Sequence, residues 1–143
     1  MILRVQRLDE RAILPTRAHA DDAGLDLYAL HGAVLRPGER ISIPTGIAIE
    51  VPQRQACLVL PRSGLAAQHG IALVNAPGLI DAGYAGEVCV LLLNTDRELE
   101  YRISTGDRIA QLLLIAIETP SVTEVQSLAE SERGVKGFGS TGG

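Results

Sequence analysis

The sequence predicts an all-β protein, a jelly-roll-like β-sandwich or barrel with one short helix and a Gly-rich C-terminal tail. Two observations carry that prediction. Stretches with apolar residues at every second position, or apolar throughout, recur along the chain, which is how half-buried and fully buried strands read. Turn-forming residues separate them at short intervals, and many short strands with regular turns build a sandwich, jelly roll or barrel.

Taken in order, Ile41 and Ile43, then Ile47, Ile49 and Val51, alternate with smaller or polar residues, with a break expected at Pro44-Thr45-Gly46. Cys57 to Leu60 is a short apolar run, read as a strand buried on both faces. Ser63 to His69 is the one clear helix candidate, with Ser63 as N-cap and Gly70 as the C-terminal stop. Ile71 to Val74, Val88 to Leu93 and Ile109 to Ile117 are further two-face strands, and Leu99, Tyr101 and Ile103 alternate with charged residues. The turns fall at Arg36-Pro37-Gly38, Ala76-Pro77-Gly78, Asn94-Thr95-Asp96 and Thr105-Gly106-Asp107. With so little helix, the outer faces of 88–93 and 109–117 need a second sheet or another subunit to cover them.

The chain has 143 residues, 46% hydrophobic and 21% charged, which suits one domain with its own core rather than a disordered segment. A formal charge of −4 argues against broad binding to nucleic acid but leaves room for a small anionic ligand held by local positive groups. Cys57 and Cys89 lie in apolar runs and read as two buried free thiols, at no metal-ligand spacing. His19, His31 and His69 are scattered, which speaks against a protein-made metal site and against a Ser-His-Asp triad. Met1 to Val5 lacks the apolar stretch of a signal peptide, and no segment approaches the roughly 18 apolar residues of a membrane span. The expectation is a cytoplasmic protein.

Four clusters place glycine beside polar residues. In Ala23 to Tyr28, Asp26 stands between Leu25 and Leu27, either a solvent-facing carboxylate or part of a site. In Pro61 to Ala66, Arg62 offers a donor fork suited to phosphate, and the amides at Ser63 and Gly64 would open a helix; an ordinary capped helix fits as well. Between Asn75 and Glu87 a loop long enough for a hollow hairpin offers backbone groups that can read a pyrimidine edge. Asp81 is its candidate general base and Tyr84 a ring for a sugar, against the plainer reading of a turn. In Gly106 to Gln111, Arg108 can pair with a carboxylate, and Gln111 is either exposed or a satisfied buried amide.

The tail is a fifth cluster. Phe138 is the chain's one phenylalanine and Lys136 its one lysine, set among glycines with Arg133 upstream and Ser140 and Thr141 downstream. A ring for a base beside donors for phosphates suggests a lid over a nucleotide, whereas a plain low-complexity terminus is the alternative.

Together and in this order, the five clusters resemble the motifs of the trimeric deoxyuridine triphosphatases (dUTPases), over nearly the whole chain. The resemblance implies a β domain over 1–132 and a mobile lid segment over 133–143. It implies a homotrimer with sites at subunit boundaries, dUTP as substrate and no direct contact with nucleic acid or membrane. Asn75, Gly78 and the backbone of Leu79, Ile80 and Asp81 would read uracil, with Cys89 on the returning strand. Tyr84 would stack on the deoxyribose and exclude a 2′-hydroxyl. Asp81 would activate the water that attacks the α-phosphorus, and Arg62, Ser63, Gly64 and Gln111 would hold phosphates. Arg133, Gly139, Ser140 and Thr141 would grip the far phosphates while Phe138 covers the base. Asp26 and Arg108 would support the site.

The substrate carries about four negative charges, so arginines, amides and Mg²⁺ held by phosphates and water would offset them. The implied reaction yields dUMP and pyrophosphate, which limits uracil in DNA and supplies dUMP for dTMP synthesis. A dCTP deaminase, a bifunctional deaminase and triphosphatase, and a non-catalytic nucleotide-binding module are the rival readings.

Overall fold

The computed structural model describes residues 2–129 and 131. The expectations for Arg133, Phe138, Gly139, Ser140 and Thr141, and the lid from residue 133 onward, lie outside those residues. The described chain is mostly β, as its alternating and turn-punctuated sequence predicts, and every strand pairing is antiparallel. Its strands are β1 (Arg4–Arg7), β2 (Leu25–Tyr28), β3 (Ala33–Leu35), β4 (Arg40–Glu50) and β5 (Gln55–Leu60), followed by β6 (Ile71–Leu73), β7 (Gly78–Asp81), β8 (Glu87–Asn94), β9 (Tyr101–Ile103) and β10 (Arg108–Ala116). The helix α1 (Ser63–His69) lies between β5 and β6. One four-stranded sheet runs β1-β4-β8-β6, the other β2-β10-β5-β7, and β3 pairs with β9 alone.

A single apolar cluster joins the sheets: Ile47, Val88, Val90 and Leu92 from one, Leu27, Cys57, Ile109 and Leu112 from the other. Burial of branched aliphatics at about 25 cal/mol per Å² of apolar surface is what holds two such layers together. Aromatic rings are not needed for it.

Several sequence expectations are corrected. β4 does not break at Pro44-Thr45-Gly46; it bulges there, its register against β8 shifting between Pro44 and Ala48. Thr45 is buried and its hydroxyl donates to the Val88 carbonyl, while the Gly46 N–H donates to Glu87 Oε1 at 2.7 Å. Gly46 has φ 72°, and a Cβ there would come within 2.8 Å of Ala12 Cβ, so this bulge accepts only glycine without strain.

β8 is not buried on both faces within one chain. Val88, Val90 and Leu92 are buried while Cys89 and Leu91 are exposed, a strict period of two. Cys89 is therefore an exposed thiol, contrary to its reading as buried; Cys57 is buried as expected. The outer face of β10 is likewise only half covered, at Leu113 and Ile115.

Ser63 is the first helical residue rather than the N-cap. The cap position is Arg62, in extended backbone and without a side-chain capping bond, because a guanidinium has no acceptor to offer the helix N–H groups. Gly70 ends the helix in the left-handed conformation at φ 63°, as its sequence position predicts. The alternation at 99–103 yields only the short β9. Asp96 accepts the N–H groups of Glu98 and Leu99 and turns the chain there, which leaves Leu99 exposed.

Candidate active site

Strand β7 was not foreseen, and it shapes the loop between Asn75 and Glu87. It pairs with β5, Gly78 facing Val59 and Asp81 facing Ala56, whereas β8 belongs to the other sheet and pairs with β4 and β6. The segment therefore crosses from one sheet to the other and leaves a gap between β7 and β8. β7 is the edge strand of its sheet, so one row of its backbone N–H and C=O groups is open toward that gap.

The gap is a cavity of about 400 Å³ lined by Val59, Asn75, Gly78, Leu79, Ile80, Asp81, Tyr84, Glu87, Val88, Cys89 and Leu91. It brings together every residue that the sequence assigned to the base-reading hairpin. Val59, Glu87, Val88 and Leu91 were missed as wall residues; 88–93 is apolar throughout in sequence, so only the alternating burial in the fold separates Leu91 from its neighbours. Asn75 lies over Gly78, its Nδ2 3.1 Å from where a Gly78 Cβ would sit. Asp81 and Tyr84 are exposed at the rim, and the Tyr84 hydroxyl donates to the Glu87 carbonyl at 3.1 Å. Burial raises the Cys89 thiol, Glu87 adding to the effect and a bond to Ser42 opposing it. The Cys57 thiol, shut in the core, is pushed up to about 11 by burial.

A second cavity of about 390 Å³ gathers Asp26, Arg62, Ser63, Gly64, Arg108 and Gln111, with Ala18, Asp22, Ala23 and Gly24 completing its wall. Strand register assembles it: Asp26 of β2 faces Gln111 of β10, which faces Leu60 at the end of β5. Asp26 is not a solvent-facing carboxylate. Its Oδ1 lies 3.1 Å from Arg62 Nε and its Oδ2 3.3 Å from Arg108 Nη1. Arg62 Nη1 also donates to the Arg108 carbonyl at 3.1 Å. Gln111 Nε2 donates to the Pro61 carbonyl at 2.9 Å, which makes it a satisfied, half-buried amide. A Cβ on Gly24 would lie 2.6 Å from Gln111 Oε1, so that glycine makes room for the amide. At the far end of α1, His69 packs on Tyr101 with ring centroids 4.8 Å apart, and Thr95 Oγ1 donates to the Gly70 carbonyl at 2.7 Å.

The two clusters do not meet within one chain. Asp81 faces Ala56 of β5 and Gln111 faces Leu60. Four residues along β5 and two strand spacings across it separate Asp81 from Gln111 by roughly 16 Å. Among the described residues no group of three or more His, Cys, Asp or Glu could hold a metal ion, and no helix is long and apolar enough to cross a membrane.

The dUTPase family profile matches residues 10–142. This chain belongs to the dUTPase family. The deoxyuridine 5′-triphosphate nucleotidohydrolase of Thermobifida fusca (strain YX) is 51% identical over 141 residues, covering 99% of this chain and 79% of that protein. That of Mycolicibacterium gilvum (strain PYR-GCK) is 49% identical over 146 residues, covering 99% and 95%. Among solved structures, the Staphylococcus bacteriophage 80alpha dUTPase with dUPNHPP superposes with a TM-score of 0.92 at 33% identity, covering 99% of this chain and 98% of that one. A dUTPase from phage phi11 of S. aureus, with a coordinated structural Mg(II) ion, superposes with a TM-score of 0.85 at 28% identity, covering 91% and 100%. The dUTPase assignment makes the chain a dUTP diphosphatase, a hydrolase of nucleotide metabolism.

Proposed function

We propose that this chain hydrolyses dUTP to dUMP and pyrophosphate by attack of water on the α-phosphorus, in sites shared between subunits of a homotrimer. The observation that carries the reading is the cavity between β7 and β8, where Asp81 and Tyr84 stand at the rim of a pocket edged with open backbone groups. Asn75, Gly78, Leu79 and Ile80 hold the base there, with Cys89 behind it. Tyr84 lies under the deoxyribose. Asp81 orients the water and takes its proton as the new P–O bond forms and the bond to the β-phosphate breaks. Arg62, Ser63, Gly64 and Gln111 bind the phosphates, with Asp26 and Arg108 supporting the Arg62 guanidinium. Arg133, Gly139, Ser140 and Thr141 reach the outer phosphates and Phe138 covers the base.

The separation of roughly 16 Å between Asp81 and Gln111 supports a site completed by another subunit. So do the exposed Cys89 and Leu91 on β8 and the exposed Val122 and Leu128 beyond β10. Mg²⁺, when bound, neutralises phosphate charge. The donor set fits an ion brought by the substrate, because Asp26 already serves two arginines and Mg²⁺ commonly keeps its waters and takes substrate phosphates. A cytoplasmic site of action, where the activity limits uracil in DNA and supplies dUMP, completes the proposal.

The test is pyrophosphate release from dUTP, dCTP, dTTP and UTP with Mg²⁺. Release from dUTP alone supports the reading, and release from several nucleotides removes the hairpin as the selective reader. Ammonia from dCTP would place the chain with the deaminases, and tight dUTP binding without turnover would make it a binding module.

A further inference from the structure

Gly86 separates Tyr84 from the start of β8, and its backbone gives no reason for glycine. Its φ is not in the left-handed region, unlike Gly83 at φ 92°. The reason is the ring beside it. A Cβ on Gly86 would stand 2.4 Å from the Tyr84 hydroxyl oxygen, 2.6 Å from Cζ and 3.1 Å from Cε2, closer than any side chain tolerates. The three nearest atoms all belong to Tyr84. The ring lies across the bare Gly86 backbone, and its hydroxyl reaches over it to the Glu87 carbonyl at 3.1 Å. Glu87 is held at its other end too, its carboxylate accepting the Gly46 N–H of the β4 bulge at 2.7 Å. One residue thus links the ring to the rigid sheet.

We propose that Gly86 is a specificity-positioning residue: its missing side chain is the seat that fixes the Tyr84 ring where it rejects a ribose 2′-hydroxyl. The inference rests on the reading of Tyr84 as the sugar platform. An alanine at position 86 is compatible with the backbone and collides with the far end of one side chain, so it displaces the ring and spares the fold. The ring has somewhere to go. Tyr84 lines the base cavity and also a second cavity of about 400 Å³ beside Arg4, Gln6, Ala48 and Glu50. A ring moved off its seat no longer crowds the sugar edge.

The experiment compares kcat/KM for UTP with that for dUTP, with Mg²⁺, in the full chain and in Gly86→Ala, Tyr84→Ala and the double variant, with Tm recorded for each. Gly86→Ala should raise the UTP-to-dUTP ratio by about tenfold or more, the scale of discrimination that one pocket contact supplies. The double variant should show no further rise over Tyr84→Ala, because the seat acts only through the ring. If Tyr84→Ala raises the ratio and Gly86→Ala does not, the seat is refuted and the sugar platform stands. An unchanged ratio in Tyr84→Ala refutes the platform and the seat with it. A double variant whose ratio exceeds that of Tyr84→Ala also overturns the proposal. Should Gly86→Ala alone fail to fold, the double variant decides: recovery of the fold on removing the ring supports the seat, and continued misfolding shows that the Cβ meets something else.

Discussion

The cavity between β7 and β8 and the cluster around Asp26 share a sheet and contrast in chemistry. The first is walled by strand edges and by Val59, Ile80, Val88 and Leu91, with Asp81 and Glu87 as its carboxylates. The second is a lattice of two guanidinium groups, a carboxylate and an amide, each bonded to a neighbour before any ligand arrives. A wall of fixed backbone groups discriminates by shape and hydrogen-bond pattern, whereas a charged cluster grips any polyphosphate. Damage to the first half should therefore alter what is turned over and how fast. Damage to the second should alter how tightly any triphosphate is held.

The largest break in that contrast should come from Asp81→Asn, which keeps the shape of the base wall and removes its proton acceptor. Turnover of dUTP should fall by about 10² to 10⁴-fold while calorimetry still shows nucleotide binding. Arg62→Lys should come next. It keeps the charge and loses the fork that meets Asp26 and the Arg108 carbonyl together. A lost bond to a charged group costs about 1.5–3 kcal/mol, so KM should rise roughly 10 to 100-fold for dUTP, with kcat less affected. Steady-state kinetics across a salt series would show a KM unchanged from the parent if Arg62 is only structural.

A smaller effect sharpens the contrast from the base side. At mildly alkaline pH a maleimide should label Cys89 well before Cys57, whose thiol is buried and pushed up to about 11. A non-hydrolysable dUTP analogue should slow the Cys89 reaction, read by mass spectrometry of the modified peptides. Equal labelling with and without the nucleotide would separate Cys89 from the base.

The smallest effect concerns the phosphate side. Asp96 sits next to Thr95, which anchors the end of α1, and the N–H groups of Glu98 and Leu99 hold its carboxyl below the ordinary 3.8. A carboxyl lowered in the folded state adds stability above its unfolded value and loses it as pH falls through the folded one. Urea unfolding at about pH 6 and in steps below about pH 4 should show that loss, and Asp96→Asn should shrink it.

Much of the architecture was legible in the chain because period-two patterns and turn residues act locally. The helix and its Gly70 stop are examples, as are the strands at 55–60, 71–73 and 108–116. The errors lie where a distant partner decides. Pro44-Thr45-Gly46 reads as a stop, and it becomes a bulge because Glu87, far along the chain, accepts the Gly46 N–H. β7 is short and holds glycine and aspartate, poor strand residues, and it forms because β5 offers an edge.

In the candidate site, residue types and their order gave many members of both cavities, but not Val59, Glu87, Val88 and Leu91 of the first or Ala18 and Asp22 of the second. They did not give the pairing of Asp26 with two arginines, which depends on β2, β10 and the end of β5 lying side by side. Nor did they single out Gly86, since a glycine among glycines shows its purpose only once a neighbouring ring is in place.

Strand β8 carries one further consequence, for redesign. Val90 and Leu92 face the core and Cys89 and Leu91 face away from it, so these neighbouring positions answer to separate demands, while Val88 serves both core and cavity. Selection can rewrite the base-facing letters of this strand while its alternate letters keep the two sheets glued. New base preferences are thus open to exploration from β8 without first purchasing extra stability.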